Sequence, residues 1–237
     1  MLTTKKGLLP ISQPIMVVHM PTLYVGVIGD IVRSRQIAPH ARSALQRRIG
    51  RTLQQINSHF ALSLAAKFLI TIGDEFQGLL RDPVAIPDLV RELEMNLPNT
   101  TLRLGIGRGA LYTDLGEYAI GMDGPAWYAA RGALEDARAS RRFGGVFVGF
   151  GPKEDQVLNG MARVLHHVRS RLTMKQRELL EALLQDETQA EIATREGISK
   201  QAVSKRARAG GLEAYREAEA AWKLVLAATK QRSPSQE

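Results

Sequence analysis

Apolar positions in the first two thirds of the chain alternate between short continuous runs and helical spacing. Residues 23–28 form a short, nearly all-apolar run that is typical of a buried strand, and residues 39–60 carry apolar side chains every three or four positions, which predicts a helix. The same patterns predict strands over residues 68–72, 76–80, 102–106 (with 110–112 as a continuation) and 146–150, and helices over residues 87–96 and 125–139. This order predicts a ferredoxin-like α/β domain.

A purely helical pattern follows from Gly151 onward. The first helix, over residues 152–172, has an apolar stripe made of Val157, Leu158, Met161, Val164, Leu165, Val168 and Leu172. We interpret it as a connector that could also pair two copies of the chain. The predicted organisation is a disordered leader (1–21), an α/β domain (22–151), a connector helix (152–172), an all-α domain (173–229) whose last helix covers 212–228, and a disordered tail (230–237).

Helix start and stop signals divide residues 173–209 into three short helices. Thr173 with Gln176, and Thr188 with Glu191, have the spacing of capping boxes. Gly197 stands where a left-handed helix cap is needed and Ser199 can cap the next helix, so the turn between them is about three residues long. The predicted small core is Leu179, Leu183, Ile192, Ile198 and Val203.

The third of these helices has a polar, acid-free outer face. Glutamine suits adenine edges, lysine and arginine suit guanine edges or phosphates, and serine suits phosphates. The segment QAEIA…GISKQAVSKR resembles the helix-turn-helix of sigma-factor region 4, which implies binding of double-stranded DNA. The alternative is a module for protein contacts whose basic residues are only a solvated face. The predicted DNA-binding residues are Ser199, Lys200, Gln201, Ser204, Lys205, Arg206 and Arg208.

Charge and composition narrow the choice of partners. The net charge is +8, and no acidic residue occurs between Asp30 and Asp74, so polyanionic partners are favoured. The chain has no cysteine and five scattered histidines, so we expect any metal to be held by carboxylates. We expect a cytoplasmic protein without a membrane partner, because no apolar run is long enough to span a bilayer and no signal-peptide core is present.

Two carboxylates are the candidate chemistry of the α/β domain. Asp30 ends the first strand and Asp74 sits on the tip of the next hairpin, which a ferredoxin-like sheet brings to the same edge. Two such carboxylates can hold Mg²⁺ against nucleotide phosphates, which Arg33, Ser34 and Arg35 in the adjoining loop could neutralise. The alternative is that each aspartate only caps a turn.

Several motifs resemble known nucleotide-handling families. The segments GDIVRSR from Gly29, TIGDEF from Thr71, LRLGIGRGAL and AWYAARGALEDA are similar to class III nucleotidyl cyclases, and TIGDEF is also similar to the GGDEF motif of diguanylate cyclases. Combined with the helix-turn-helix, these motifs resemble the SatD family. The resemblance implies a cyclase-type α/β domain that uses Mg²⁺ and a nucleotide.

Residue by residue, the resemblance implies that Asp30, Asp74 and Glu75 are metal ligands and that Arg131 stabilises a phosphate. Three positions depart from the cyclase pattern, because base-reading and ribose-positioning residues are replaced by Ile70, Ile120 and Trp127. Apolar side chains cannot make those hydrogen bonds, so cyclase catalysis is not expected. We expect Trp127 and Tyr128 to pack the helix into the sheet rather than to stack a base.

Together these observations predict a DNA-binding transcriptional regulator, and a homodimer because helix-turn-helix proteins commonly bind two half-sites. Its α/β domain is expected to sense a nucleotide or another phosphorylated ligand. Two alternatives stay open at this point. One is an active Mg²⁺-dependent nucleotidyl cyclase or transferase, and the other is an architectural nucleic-acid binder that uses Arg47, Arg48 and Arg51 against phosphates.

Overall fold

The computed structural model describes residues 21–230, apart from the side chains of Arg35 and Pro39. The predicted leader and tail therefore lie outside the described residues, except for Pro21 and Lys230. Residues 21–230 form a mixed α/β fold with one five-stranded sheet and eight α-helices, and none of these helices is long and apolar enough to cross a membrane. The elements are β1 (Tyr24–Ile31), α1 (Pro39–His59), β2 (Leu64–Ile72), β3 (Glu75–Leu80), α2 (Ile86–Asn96), β4 (Leu102–Gly109), α3 (Pro125–Ala139), β5 (Val146–Val148), α4 (Pro152–Arg171), α5 (Met174–Leu184), α6 (Gln189–Glu196), α7 (Lys200–Ala209) and α8 (Leu212–Lys230).

The sheet has the strand order β2-β3-β1-β4-β5, with β1 at its centre. β1 pairs antiparallel with both β3 and β4, β2 pairs antiparallel with β3, and β5 joins β4 in parallel. The predicted alternation of strands and helices is confirmed for these elements. The central position of β1 places its last residues beside the turn between β2 and β3.

The two faces of the sheet are covered by different helices. Val25 and Val27 of β1 belong to a core that also contains buried residues of α1 and α2, whereas Ile28 packs in a second core with Trp127 of α3. Successive side chains of a strand point to opposite faces, so this alternation separates the helices. Side chains of α3 can therefore reach Asp30, which lies on the same face as Ile28.

Glycines in β4 bring α3 unusually close to the sheet. A Cβ atom added to Gly107 would lie 2.0 Å from the backbone nitrogen of Ala130, and one added to Gly105 would lie 2.1 Å from the Ala130 carbonyl oxygen. Only a residue without a side chain fits at such distances. The backbone of α3 consequently rests directly on β4.

Several predicted strand boundaries were wrong. β1 and β4 each continue three residues past their predicted ends, to Ile31 and Gly109. β2 starts at Leu64 rather than at residue 68, and β5 ends at Val148, where Gly149 turns the chain with a φ of 90°. Residues 110–112 do not extend β4. The chain instead crosses to the outer edge of β2, where the Lys67 amide donates to the Glu117 carbonyl at 2.8 Å and the Ala119 amide donates to the Lys67 carbonyl at 2.9 Å.

The helical part shares its core with the sheet. Trp222 of α8 is fully buried and meets Phe147 of β5 edge-on, with ring centroids 5.5 Å apart. α4 buries Leu158 and Leu165 as predicted.

The predicted stripe of α4 needs one correction, and the last helix another. Val157 and Val164 are 46% and 61% exposed, because α4 packs only along the line that faces β5 and α8. The last helix extends past residue 228 to Lys230, the first residue of the predicted tail. The predicted domain boundaries stay a prediction.

We expect Gly107→Ala to lower the free energy of unfolding by about 1–3 kcal/mol, because its new methyl group would collide with the α3 backbone. Gly132→Ala is the matched control, since a Cβ atom at that α3 position meets no other atom within 4 Å and alanine favours a helix by about 0.5–1 kcal/mol. Urea denaturation of both variants measures the difference. Equal effects would show that α3 does not lie against β4.

Candidate functional site

Asp30 and Asp74 lie at the same edge of the sheet, beside the end of β1, as the sequence predicts. The Asp74 carboxylate accepts a hydrogen bond from the Ile31 amide at 2.9 Å, which fixes the hairpin tip beside β1. Asp30 is only 6% exposed. A buried carboxylate requires compensating positive charge or hydrogen-bond donors, because its ionised form loses hydration.

Arginines supply that compensation to Asp30. Arg138 of α3 donates from Nε to Asp30 Oδ2 at 2.7 Å, and Arg103 of β4 approaches the same oxygen at 3.4 Å. Asp30 Oδ1 is buried and has no hydrogen-bond partner among the described residues. Neither arginine was predicted from the sequence as a site residue. Arg138 follows Arg131 by two helical turns, a detectable spacing, whereas Arg103 is found only through its register opposite Asp30.

Two arginines of α3, Arg131 and Arg138, bind Glu75. Arg131 donates from both terminal nitrogens to the two Glu75 oxygens at 2.8 and 2.9 Å, and Arg138 adds a third contact at 3.1 Å. The hydrogen bonds from Arg131 lower the pKa of Glu75, although partial burial opposes the shift. We call Asp30, Glu75, Arg103, Arg131 and Arg138 the arginine–carboxylate cluster.

The cluster, as placed, does not fit a metal ion. Asp30 Oδ2 and both Glu75 oxygens are occupied by guanidinium groups, and Asp74 Oδ2 accepts a backbone amide. No three His, Cys, Asp or Glu side chains within residues 21–230 come together in a way that could hold a metal ion. Bound Mg²⁺ would have to displace arginine, so the predicted magnesium site stays a prediction.

The predicted phosphate loop follows β1. Arg33 is exposed and adopts a left-handed conformation with a φ of 58°, directly before a short 3-10 turn at Ser34–Gln36. Among the described side chains, neither Arg33 nor Ser34 hydrogen-bonds to the cluster. The side chain of Arg35 lies outside the described residues. The loop is therefore near the cluster in sequence but is not joined to it.

The three positions that depart from the cyclase pattern have different environments. Trp127 is 7% exposed and packs against Gly26, which confirms its prediction as a packing residue. Ile70 is partly buried against the main core, whereas Ile120 is 59% exposed. The prediction that Tyr128 packs the helix into the sheet was wrong, because Tyr128 is 56% exposed and its hydroxyl donates to Asp123 at 2.8 Å.

The cap signals of the three short helices are confirmed. Both capping boxes form, since the Thr173 and Thr188 hydroxyls accept from the amides of Gln176 and Glu191, whose side chains return the contact. Gly197 closes α6 in the left-handed region with a φ of 65°. Residues 197–199 therefore form the predicted three-residue turn between α6 and α7.

α7 presents most of the predicted nucleic-acid residues to solvent. Ser199 caps the helix by accepting from the Ala202 amide at 3.2 Å, and Ser204 is partly buried. Arg206 is instead bound to Glu196 of α6 at 2.6 Å, which holds the two helices together. The exposed members of the predicted set are Ser199, Lys200, Gln201, Lys205 and Arg208.

Comparison with family models gives a match to the SatD family over residues 24–225. The chain belongs to the SatD family. Comparison with curated proteins found no matching relative. The SatD match covers both the sheet with its cluster and the three short helices, so these parts occur together within one family unit.

A buried polar network joins the two parts of this SatD-family chain. Arg169 of α4 donates to Glu94 of α2 at 2.7 Å and to the Tyr215 hydroxyl of α8 at 2.7 Å. Tyr215 in turn donates to Glu219 at 2.8 Å, and Glu219 also accepts from Arg91 of α2. Arg91 extends the network to α5 through Glu181. This network was not predicted from the sequence.

Glu94 is ionised within the network. Its burial alone would raise the pKa, but the charge of Arg169 and hydrogen bonds from His166 and Arg169 lower the pKa to about 2. A carboxyl whose pKa is lower in the folded state stabilises the fold above its unfolded pKa and loses that contribution as the pH falls.

We expect the SatD-family chain to be much less stable when Glu94→Gln removes this charge. The difference in the free energy of unfolding between wild type and variant is expected to be full above pH 4.5 and to shrink as the pH falls towards 2. Urea denaturation over a pH series measures it. Glu178→Gln is the control, because that carboxylate is exposed on α5. A pH-independent difference would contradict an ionised Glu94.

Proposed function

We propose that this protein is a DNA-binding transcriptional regulator whose α5–α7 segment is a helix-turn-helix. The observation that carries the proposal is the exposed, acid-free face of α7 behind a three-residue turn. A helix-turn-helix places its second helix in the major groove, so that helix needs exposed polar side chains and a fixed angle to its predecessor. The Arg206–Glu196 ion pair and the Gly197 cap both support a fixed angle.

The chemistry of this face suits a DNA duplex. Gln201 could contact an adenine edge, and Lys205 and Arg208 could contact guanine edges or phosphates. Basic residues that serve only solubility would commonly be balanced by acids on the same face. No acidic residue occurs in α7 itself.

The α/β part is proposed to bind a nucleotide or another phosphorylated ligand. Its strand order and antiparallel pairing match a ferredoxin-like sheet, the fold implied by the cyclase resemblance. In the arginine–carboxylate cluster three guanidinium groups meet two carboxylates, which leaves positive charge for an anion. Apolar or packed residues at Ile70 and Trp127 favour ligand sensing over cyclase catalysis.

Coupling between ligand and DNA is proposed to run through the buried network. Helix α2 belongs to the α/β part and carries Arg91 and Glu94. These two residues contact α4, α5 and α8, which belong to the helical part. A ligand that shifts α2 would change these contacts and so bias the helical part. Such coupling is reciprocal, so bound DNA would change ligand affinity by the same factor.

We expect Lys205→Ala combined with Arg208→Ala to weaken binding to duplexes selected from a random-sequence pool by about tenfold or more, since each lost base or phosphate contact costs about 1–3 kcal/mol. Fluorescence anisotropy at fixed salt measures the affinity, and sedimentation of the complex tests the proposed homodimer. The control is Arg216→Ala combined with Lys230→Ala, which removes the same number of positive charges from α8. Unchanged affinity of the α7 variant, or an equal loss in the control, would exclude recognition by α7.

We expect wild-type protein to bind a nucleoside triphosphate, and Arg131→Gln to weaken that binding by about tenfold or more through loss of a charge-assisted contact. Calorimetry with each of the four common nucleoside triphosphates measures the affinity. Repeating the titrations in the presence of EDTA tests whether binding requires the predicted Mg²⁺. Arg216→Gln is the control. If no nucleotide binds, or if Arg131→Gln binds as wild type does, the sensing part of the proposal fails. Product chromatography after incubation would reveal any turnover.

A further inference from the structure

Two adjoining grooves run along α4 outside the cluster and outside α7. One, of about 550 Å³, lies between α4, the end of α7 and α8, and the other, of about 910 Å³, lies between α4 and the turn that follows α3. Val164 and His167 of α4 line both grooves. The two grooves are therefore one continuous surface, which we call the α4 basic surface.

This surface is strongly positive. Neither groove is lined by any aspartate or glutamate of residues 21–230. Arg142 has an ion pair with Asp136 at 3.2 Å, but Arg141 and Arg163 are exposed and have no ion pair with another described residue. The cationic lining consists of Arg141, Arg142, Arg163, Arg171 and Arg208, and the polar side chains of His166 and His167 lie among them.

The polar face of α4 that lines this surface is as long as several phosphates of a nucleic-acid backbone. Arg163, His167 and Arg171 stand at intervals of one helical turn on one face, and the span from Arg163 to Arg171 is about 12 Å at 1.5 Å per residue. One DNA strand places a phosphate about every 3.4 Å along the axis, so this face runs beside three or four phosphates. Arg171 donates to His167 Nε2 at 3.0 Å, which orients the arginine along the helix.

The surface is continuous with the helix proposed to read DNA. Arg208 belongs to the exposed side of α7 and also lines the first groove together with Arg171. The sugar-phosphate backbone that flanks the α7 contact would therefore lie near α4. By contrast, the groove beside α1 is lined by Arg51 but also by Glu92, so its charge is balanced.

We infer that the α4 basic surface binds the sugar-phosphate backbone of duplex DNA next to the segment contacted by α7. This inference rests on the proposed function and extends it, because it gives the α/β part and the connector helix a direct share in DNA binding. Phosphate contacts carry no base information, so this surface contributes affinity and salt dependence but no sequence preference.

The test compares Arg141→Gln/Arg163→Gln/Arg171→Gln with wild type on a long duplex selected from a random pool and on a short duplex limited to its selected core. On the long duplex we expect the slope of log affinity against log salt to become shallower by about 2–3, because each neutralised phosphate contributes about 0.9. On the short duplex the slope and the sequence preference should not change. Lys153→Gln/Arg216→Gln/Lys230→Gln is the charge-matched control, because none of these residues lines the α4 basic surface or lies on α7, and thermal unfolding confirms that both variants fold.

An unchanged slope on the long duplex would overturn the inference while leaving recognition by α7 intact. An equal decrease in the charge-matched control would overturn it as well, because net charge alone would then account for the effect. If the α4 variant loses binding to anionic vesicles but still binds the duplex as wild type does, the inference is overturned and the surface is assigned to lipid. If the α4 variant loses long-duplex affinity but Gln201→Ala/Lys205→Ala does not, the α4 surface stands and the proposed recognition helix fails. Absence of any duplex binding by wild type would overturn both.

Discussion

The ion pair between Arg169 and Glu94 is the interaction on which the arrangement of the whole chain depends. The Arg169 side chain is buried and that of Glu94 is only 15% exposed, which is costly unless each charge is paired and hydrogen-bonded. Arg169 satisfies this requirement by contacting α2 and α8 from α4. If one partner were lost, the other would remain as an uncompensated buried charge, so the sheet and the helical part are held in one relative orientation.

A second constraint, the close approach of α3 to β4, sets the geometry of the arginine–carboxylate cluster. Because the α3 backbone rests on Gly105 and Gly107, Arg131 and Arg138 project over the end of β1. They reach Asp30 and Glu75 without crossing a layer of side chains. A sheet face with ordinary residues in β4 would hold the helix further away and would leave Asp30 buried without its strongest donor.

Local signals in the sequence were sufficient for the elements and caps, but not for the contacts between them. The capping threonines and Gly197 act on their own helices, so their roles could be predicted from neighbouring residues. The convergence of Asp30 and Asp74 followed from the expected topology. The pairing of Arg91 with Glu219 joins residues 128 positions apart, and no local pattern encodes which buried carboxylate an arginine will meet. Similarly, the return of residues 110–124 to β2 depends on a backbone edge that only the assembled sheet provides.

The contact between Trp222 and Phe147 has a consequence for how this protein can evolve. A helical part that shares its core with a neighbouring sheet cannot be exchanged between proteins by itself, because a chain cut after Leu172 would expose Trp222 and Tyr215 to water. Change in one part must therefore be accommodated by the other. Recombination would have to transfer the sheet, the connector and the short helices together, as one inherited unit.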